Sequence, residues 1–194
     1  MPAVDVNGIR DAVRKRYADV AESTAGRFSY ETGCAGALAL GYDAAWLNRI
    51  GDDTLSAFCG VGNPFALGPV RPGDALLDVG CGAGVDLLVA AQLVGPCGRV
   101  CGLDLTPEMV ARARANLGSG AEIALGSAEA IPFADVSFDV VISNGVLNLS
   151  PLKDQTYREL FRVLKPGGRL QFADIVLKGD LGPEVTASLD AWSD

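Results

Sequence analysis

The residues with the most evident chemistry are a glycine-rich run, Asp78-Val79-Gly80-Cys81-Gly82-Ala83-Gly84, and an aspartate, Asp104, further along the chain. Glycine accepts positive φ and lets a ligand come close to the backbone. An acidic side chain about twenty residues beyond such a turn is placed to accept hydrogen bonds from ribose hydroxyls. Dinucleotide-binding proteins and plain tight turns use similar glycines, so the spacing matters. Gly-x-Gly-x-Gly differs from the Gly-x-Gly-x-x-Gly of nicotinamide enzymes, in which a helix N-terminus receives a pyrophosphate. The carboxylate of Asp78 at the approach disfavours phosphates. It suits a ligand that carries an ammonium and a sulfonium.

The remaining inventory narrows the chemistry. There is no histidine among the 194 residues, which removes the commonest general base and the commonest metal ligand together. Triad hydrolysis and histidine-based zinc chemistry are excluded on that ground, and no metal is expected. Five cysteines, Cys34, Cys59, Cys81, Cys97 and Cys101, are an odd number without a secretion signal and read as reduced thiols. A net charge of −8 argues against nucleic acid, whose phosphates demand a positive patch. The first sixteen residues lack the apolar core of a signal peptide, and no apolar run is long enough to span a bilayer. No membrane partner and a cytoplasmic location are therefore expected.

These side chains need elements to position them. Residues 1–72 show no alternation of strand and helix. Ile9, Val13, Tyr17 and Val20 recur at helical spacing, and a second short helix is expected near Asp43–Arg49. From residue 73 the pattern becomes regular. Strands are expected at Ala75–Val79, Arg99–Leu105, Glu122–Gly126, Phe138–Ser143 and Arg169–Leu177. Helices are expected at Val85–Val94, closed by Gly95-Pro96, from Thr106-Pro107 to Gly118, and at Asp154–Leu164. Strands alternating with helices imply an α/β fold, a Rossmann-like parallel sheet with helices on both faces. Its ligand lies beyond the carboxyl ends of the strands. The expected division is a helical cap and substrate-side segment over 1–72 and a cofactor-binding domain over 73–194.

Four segments in order resemble the motifs of class I S-adenosylmethionine-dependent methyltransferases. Leu77–Gly84 is similar to the first motif, Asp104 to the second, Ser127-Ala128-Glu129-Ala130-Ile131-Pro132-Phe133 to the adenine-side segment, and Leu164-Lys165-Pro166-Gly167-Gly168 to the motif before the fifth strand. A narrower resemblance covers most of the chain. Leu40-Gly41-Tyr42, Gly62-Asn63-Pro64, Leu103–Met109 and Val141–Pro151 resemble arsenite methyltransferases, and Gly33-Cys34-Ala35-Gly36 does so faintly. The resemblance implies S-adenosylmethionine as cofactor, bound by Asp78, Gly80, Cys81, Gly82, Gly84, Asp104, Leu105, Met109, Ser127, Ala128 and Asn144. It implies a small-molecule acceptor, arsenite or another thiophilic species, served by Asn144, Asn148, Cys34 and Cys59.

The sequence departs from that family where thiols are expected. Val61 stands in Gly60-Val61-Gly62-Asn63-Pro64 and Gly145 in Ser143-Asn144-Gly145, at positions where the family carries cysteine. A methyltransferase acting on a small molecule therefore stands beside two alternatives. One is a cofactor-binding protein without turnover, and the other a ubiquinone-type C-methyltransferase. The two terminal strands of the class I sheet are expected to be missing, with Lys178–Pro183 a turn and Glu184–Trp192 a helix. A homodimer or a partner chain would then cover the sheet edge.

Overall fold

The structure, a computed structural model, describes residues 5–176 and 179. Five parallel strands form one sheet: β1 (Ala75–Val79), β2 (Arg99–Asp104), β3 (Glu122–Leu125), β4 (Phe138–Asn144) and β5 (Leu164–Ala173). Their order is β3-β2-β1-β4-β5. The chain runs outward from β1 through β2 to β3, then crosses back to β4 on the other side. That reversal opens a crevice at the carboxyl ends of β1 and β4, the place where such sheets bind ligands.

Side chains of a strand alternate between the two faces, and the core divides accordingly. Leu76, Val100, Val140 and Ile142 join one buried cluster with Val85, Leu87, Val89, Ala90 and Val94 of helix α5 (Val85–Val94). Leu77, Val79, Cys101, Leu103 and Val141 join the other, with Phe138, Leu160 and Val163. Helix α7 (Lys153–Val163) covers that second face, and helix α6 (Pro107–Leu117) lies beside α5 on the first, through Val110 and Ala113. The near-continuous apolar character of β1 and β4 is what a strand buried on both faces requires.

The N-terminal seventy residues pack over this frame. Helix α1 (Val6–Glu22) buries Ile9, Val13, Val20 and Ala21, and the Asp5 carboxylate caps it by accepting the Gly8 N–H at 2.9 Å. Arg112 of α6 donates to the carbonyls of Ala21 at 2.6 Å and Asp53 at 2.9 Å, tying this segment to the domain. Three short helices follow, α2 (Gly33–Ala39), α3 (Ala44–Leu47) and α4 (Asp52–Leu55). The sequence reading anticipated α3 but neither α2 nor α4. Both are too brief for an amphipathic repeat to be visible and depend on tertiary contacts for their stability. Tyr42, Leu47, Leu55, Phe58 and Phe65 carry them into the α5 face of the core.

The fifth strand begins earlier than expected. Leu164 already pairs with Phe138, and the Lys165–Gly168 turn is an irregularity inside the strand. Between Leu164 and Arg169 the strand advances five residues while its partner advances two, from Phe138 to Val140. Gly167, with φ 80°, accommodates the excursion. The expected end of this strand at Leu177 and the elements expected after it lie outside the described residues. No helix among the described residues is long and apolar enough to cross a membrane.

Candidate active site

The glycine-rich turn leaves β1 directly. The Leu103 carbonyl at the end of β2 accepts the N–H groups of Gly80 at 2.7 Å and Cys81 at 3.0 Å. Asp104 completes this anchorage. One carboxylate oxygen accepts the Gly82 N–H at 2.8 Å and the other the Thr106 N–H at 2.8 Å. Gly80, Gly82 and Gly84 all hold positive φ, a conformation that residues with a Cβ enter only with strain.

Above the turn lies a cleft enclosing about 870 Å³, the space at its open mouth included. Val79, Gly80, Gly82, Leu103, Asp104 and Asn144 form its floor; Met109, Ser127, Ala128, Gly145 and Val146 stand along its sides. Arg10, Val13 and Tyr17 of α1, with Ala57 and Cys59, form its roof. Of the residues singled out in the sequence, Gly80, Gly82, Asp104, Leu105, Met109, Ser127, Ala128, Asn144 and Cys59 line this space.

Five others do not. Asp78 is 2% exposed, beneath the floor. Cys81 is buried in the α5 face of the core, and its sulfur occupies space beside Gly102 that a side chain there would fill. Gly84 meets α6, where a Cβ would lie 2.6 Å from Leu117, so its smallness serves helix packing. Cys34 is exposed on α2 and does not join Cys59 in the cleft, although the Gly33 N–H bonds to the Phe58 carbonyl. Asn148 does not line it; its backbone N–H donates to Asp174 at 2.8 Å, and its side-chain Oδ1 is buried. The glycine-rich turn contributes to the site through backbone more than through every side chain in it.

Two features were not legible in the sequence. Arg10 of α1 pairs with Glu129 at 3.3 Å, with the Glu129 side chain only 5% exposed, and Glu129 also accepts the Ser150 hydroxyl at 2.6 Å. This pair ties the roof to the far wall. The other feature is the set of contacts made by Tyr42. Its ring meets Phe58 and Phe65 edge-on, and its hydroxyl donates to Asp86 at 2.6 Å.

Electrostatically the site is acidic beneath its floor, where Asp78, Asp86 and Asp104 lie close enough to act on one another. Burial raises the Asp78 carboxyl well above the usual range, and the charges of Asp86 and Asp104 raise it further. Burial also raises Asp104, against the hydrogen bonds from Thr106 and Gly82. Asp86 is pushed up to about 6 by burial, opposed by the bonds from Tyr42 and Asn144. Burial pushes the Cys59 thiol up to about 12, reinforced by Asp104 and Asp86, so it is protonated at neutral pH.

A stability prediction follows from Asp86. Its pKa is higher in the folded chain than in the unfolded one, so the native state holds the proton more tightly. Stability from this group is therefore greatest below pH 4 and falls as pH rises towards 6, then levels off. The shift corresponds to roughly 3 kcal/mol. Urea unfolding of Asp86→Asn is expected to lose this part of the pH slope between pH 4 and 6. An identical slope in both proteins would contradict it.

A buried acidic floor beside a roofed apolar cleft fits a cationic nucleoside. Residues 71–193 match the protein family described as a methyltransferase domain. The chain belongs to that family. Its cofactor is S-adenosylmethionine, and the residues fit: Asp104 has acceptor capacity left for ribose hydroxyls, and Gly80 and Gly82 leave the backbone open. The buried carboxylates below also favour positive charge.

The chain is 38% identical, over 96% of its length, to an arsenite methyltransferase of Halobacterium salinarum, of which it covers 52%. It thus spans about half the length of that curated relative. Among solved structures it resembles an arsenic(III) S-adenosylmethionine methyltransferase from Chlamydomonas reinhardtii, with TM-score 0.67 and 35% identity. That match covers 73% of this chain and 51% of the other. It also resembles a complex of the Haloferax volcanii Trm112 methyltransferase activator with a putative methyltransferase. There the TM-score is 0.54 and the identity 36%, over 57% of this chain and 49% of the other.

Proposed function

We propose that this chain transfers the methyl group of S-adenosylmethionine to a small-molecule acceptor, with a thiol-complexed trivalent arsenical as its acceptor class. The observation that carries the reading is the cleft. A ribose-binding carboxylate, Asp104, stands on its floor, and an apolar wall of Gly145 and Val146 rises on the β4 side. The bound cofactor supplies an electrophilic methyl on a cationic sulfur. The protein supplies the rest. Asp104 accepts from the ribose hydroxyls, Ser127 and Ala128 edge the base, and α1 excludes water from the reacting centre.

When bound, the cofactor would give its methyl to an acceptor lone pair, its carbon–sulfur bond breaking to leave a neutral thioether as the positive charge passes to the acceptor. A soft arsenic lone pair needs no general base, which agrees with the lack of histidine. The protein's main contribution is alignment. Cys59 is the single cysteine among the described residues that lines the cleft, and it is held protonated. Val61 and Gly145 add no sulfur. Arsenic would therefore arrive with small-molecule thiols already bound, as soft ligands for a soft ion.

The division of labour follows the same lines: residues 1–72 form the roof and acceptor side, and residues 73–194 the cofactor side. Among the described residues β3 and β5 are the edges of the sheet, the places where a partner chain would pair. The activator complex formed by the Haloferax neighbour supports a protein partner better than a homodimer.

The test is to incubate the protein with S-adenosylmethionine, arsenite and glutathione, and to measure S-adenosylhomocysteine and methylated arsenic by mass spectrometry. Both products are expected, and Cys59→Ser should retain at least about a tenth of the rate, because a protonated thiol is a poor ligand. S-adenosylhomocysteine binding without turnover of arsenite, thiols or carbon acceptors would replace this reading with that of a cofactor-binding protein. The missing sulfurs at Val61 and Gly145 are the observation that favours that second reading.

A further inference from the structure

The Asn144 side chain lines the cleft, yet protein groups engage both of its ends. Its Oδ1 accepts the N–H groups of Val61 at 2.8 Å and Gly62 at 3.1 Å. Its Nδ2 faces the Gly62 carbonyl at 2.9 Å, the Tyr42 hydroxyl at 3.1 Å and the Asp86 carboxylate at 3.2 Å. An amide has two acceptor lone pairs and two donor hydrogens, so these partners exhaust it. The fit is close: a Cβ on Gly60 would lie 2.3 Å from Nδ2. The segment held in this way carries Val61, whose methyl carbons stand 3.4 Å from the Cβ position of Gly145. Asp86 belongs to the first turn of α5, directly after the glycine-rich turn.

We propose that Asn144 is a positioning residue that clamps the 60–62 segment, which directly follows the cleft-lining Cys59, to the end of β4 and, through Asp86 and Tyr42, to the start of α5. The clamp fixes the roof at Cys59 relative to the glycine-rich turn, and the polar atoms of Asn144 are spent on protein groups and not on either substrate. This inference rests on the methyl-transfer reading for its purpose but not for its geometry. Losing the side chain frees two backbone N–H groups of a loop and leaves Asp86 with Tyr42 as its remaining hydrogen-bond donor.

Hydrogen exchange of the full chain, with and without S-adenosylhomocysteine, separates the two readings. The clamp is read at Val61 and Gly62, and the cofactor site by protection of the Gly80–Gly84 turn. In Asn144→Ala, exchange at Val61 and Gly62 is expected to rise by about tenfold to a hundredfold, with β1 and β2 amides unchanged. S-adenosylhomocysteine affinity should stay within about threefold, unlike that of Asp104→Ala. In the arsenite and glutathione assay, kcat should fall about tenfold or more with the KM for S-adenosylmethionine held, the pattern of lost alignment.

Asn144→Asp supplies a pH signature. It keeps an acceptor for Val61 and Gly62 but sets a second carboxylate against Asp86, among Asp78, Asp104, Tyr42 and Cys59. Two facing carboxylates share a proton readily, so protection at 61–62 should return below about pH 6 and vanish above it. Unchanged exchange at Val61 and Gly62 in Asn144→Ala would overturn the clamp. Loss of cofactor affinity as severe as that of Asp104→Ala would move Asn144 into the cofactor site instead. Failure of S-adenosylhomocysteine to protect the Gly80–Gly84 turn of the unsubstituted chain would overturn the methyl-transfer reading and leave the clamp to be judged on the exchange at 61–62.

Discussion

Asp104→Ala is expected to weaken S-adenosylhomocysteine binding by roughly a hundredfold to a thousandfold. The carboxylate is 9% exposed and is the acceptor for the Gly82 and Thr106 N–H groups. Ribose hydroxyls would bond to its remaining lone pairs. Hydrogen bonds to a charged group contribute about 1.5–3 kcal/mol each, and two of them correspond to at least a hundredfold in affinity at about 1.4 kcal/mol per tenfold. Release of the Gly82 amide lets the turn drift and adds to the loss. The fold should survive, because the strands stay paired and burial already opposes the charge of Asp104. Asp104→Asn, which retains one acceptor, should fall between the two. Calorimetric titration with circular dichroism of the same samples measures both quantities. Affinity within threefold of the unsubstituted chain, with the fold intact, would remove Asp104 from the ribose site.

Gly80→Ala is expected to be the more damaging of two similar substitutions. At φ 79° a side chain is strained, and the added Cβ would sit 2.2 Å from one methyl of Val146 and 2.6 Å from the other. Left-handed strain costs about 1–2 kcal/mol, and overpacking a tight contact about 1–3 kcal/mol more. A loss of roughly 2–5 kcal/mol of stability should accompany loss of cofactor binding, since Gly80 and Val146 both line the cleft. Gly82→Ala is the control. Its φ is 51°, but the nearest atom to its Cβ is the Met109 sulfur at 4.0 Å. Only the strain applies there. Combining Gly80→Ala with Val146→Ala should recover the steric part and leave the strain. Urea unfolding of the four proteins gives the ranking, and equal destabilisation by the Gly80 and Gly82 substitutions would refute the role of Val146.

The sheet, the glycine-rich turn and an aspartate, Asp104, at the end of the next strand were legible in the sequence because each is encoded locally. An apolar run followed at once by glycines marks a strand entering a tight turn, and Ile9, Val13, Tyr17 and Val20 mark α1 by their period alone. What the chain does with side chains far apart was not legible. Nothing in the spacing of Arg10 and Glu129 signals that they meet across the cleft. Nor does anything near Asn144 reveal that it holds Val61, Gly62, Tyr42 and Asp86 together. Cys81 and Gly84 sit in the motif, yet the tertiary structure turns them towards core and helix. Cys34 and Cys59 are of one type, yet only one of them faces the cleft.

The sequence by itself determined the parallel strands and the longer helices, their alternation and the place of the glycine-rich turn, since these depend on backbone preferences and on apolar period. The tertiary structure decided which walls face each other. The order β3-β2-β1-β4-β5 brings the end of β4 beside that of β1, and a segment far upstream folds back over both. Contacts between residues so distant in the chain arise from crossover geometry and packing, and no local pattern records them.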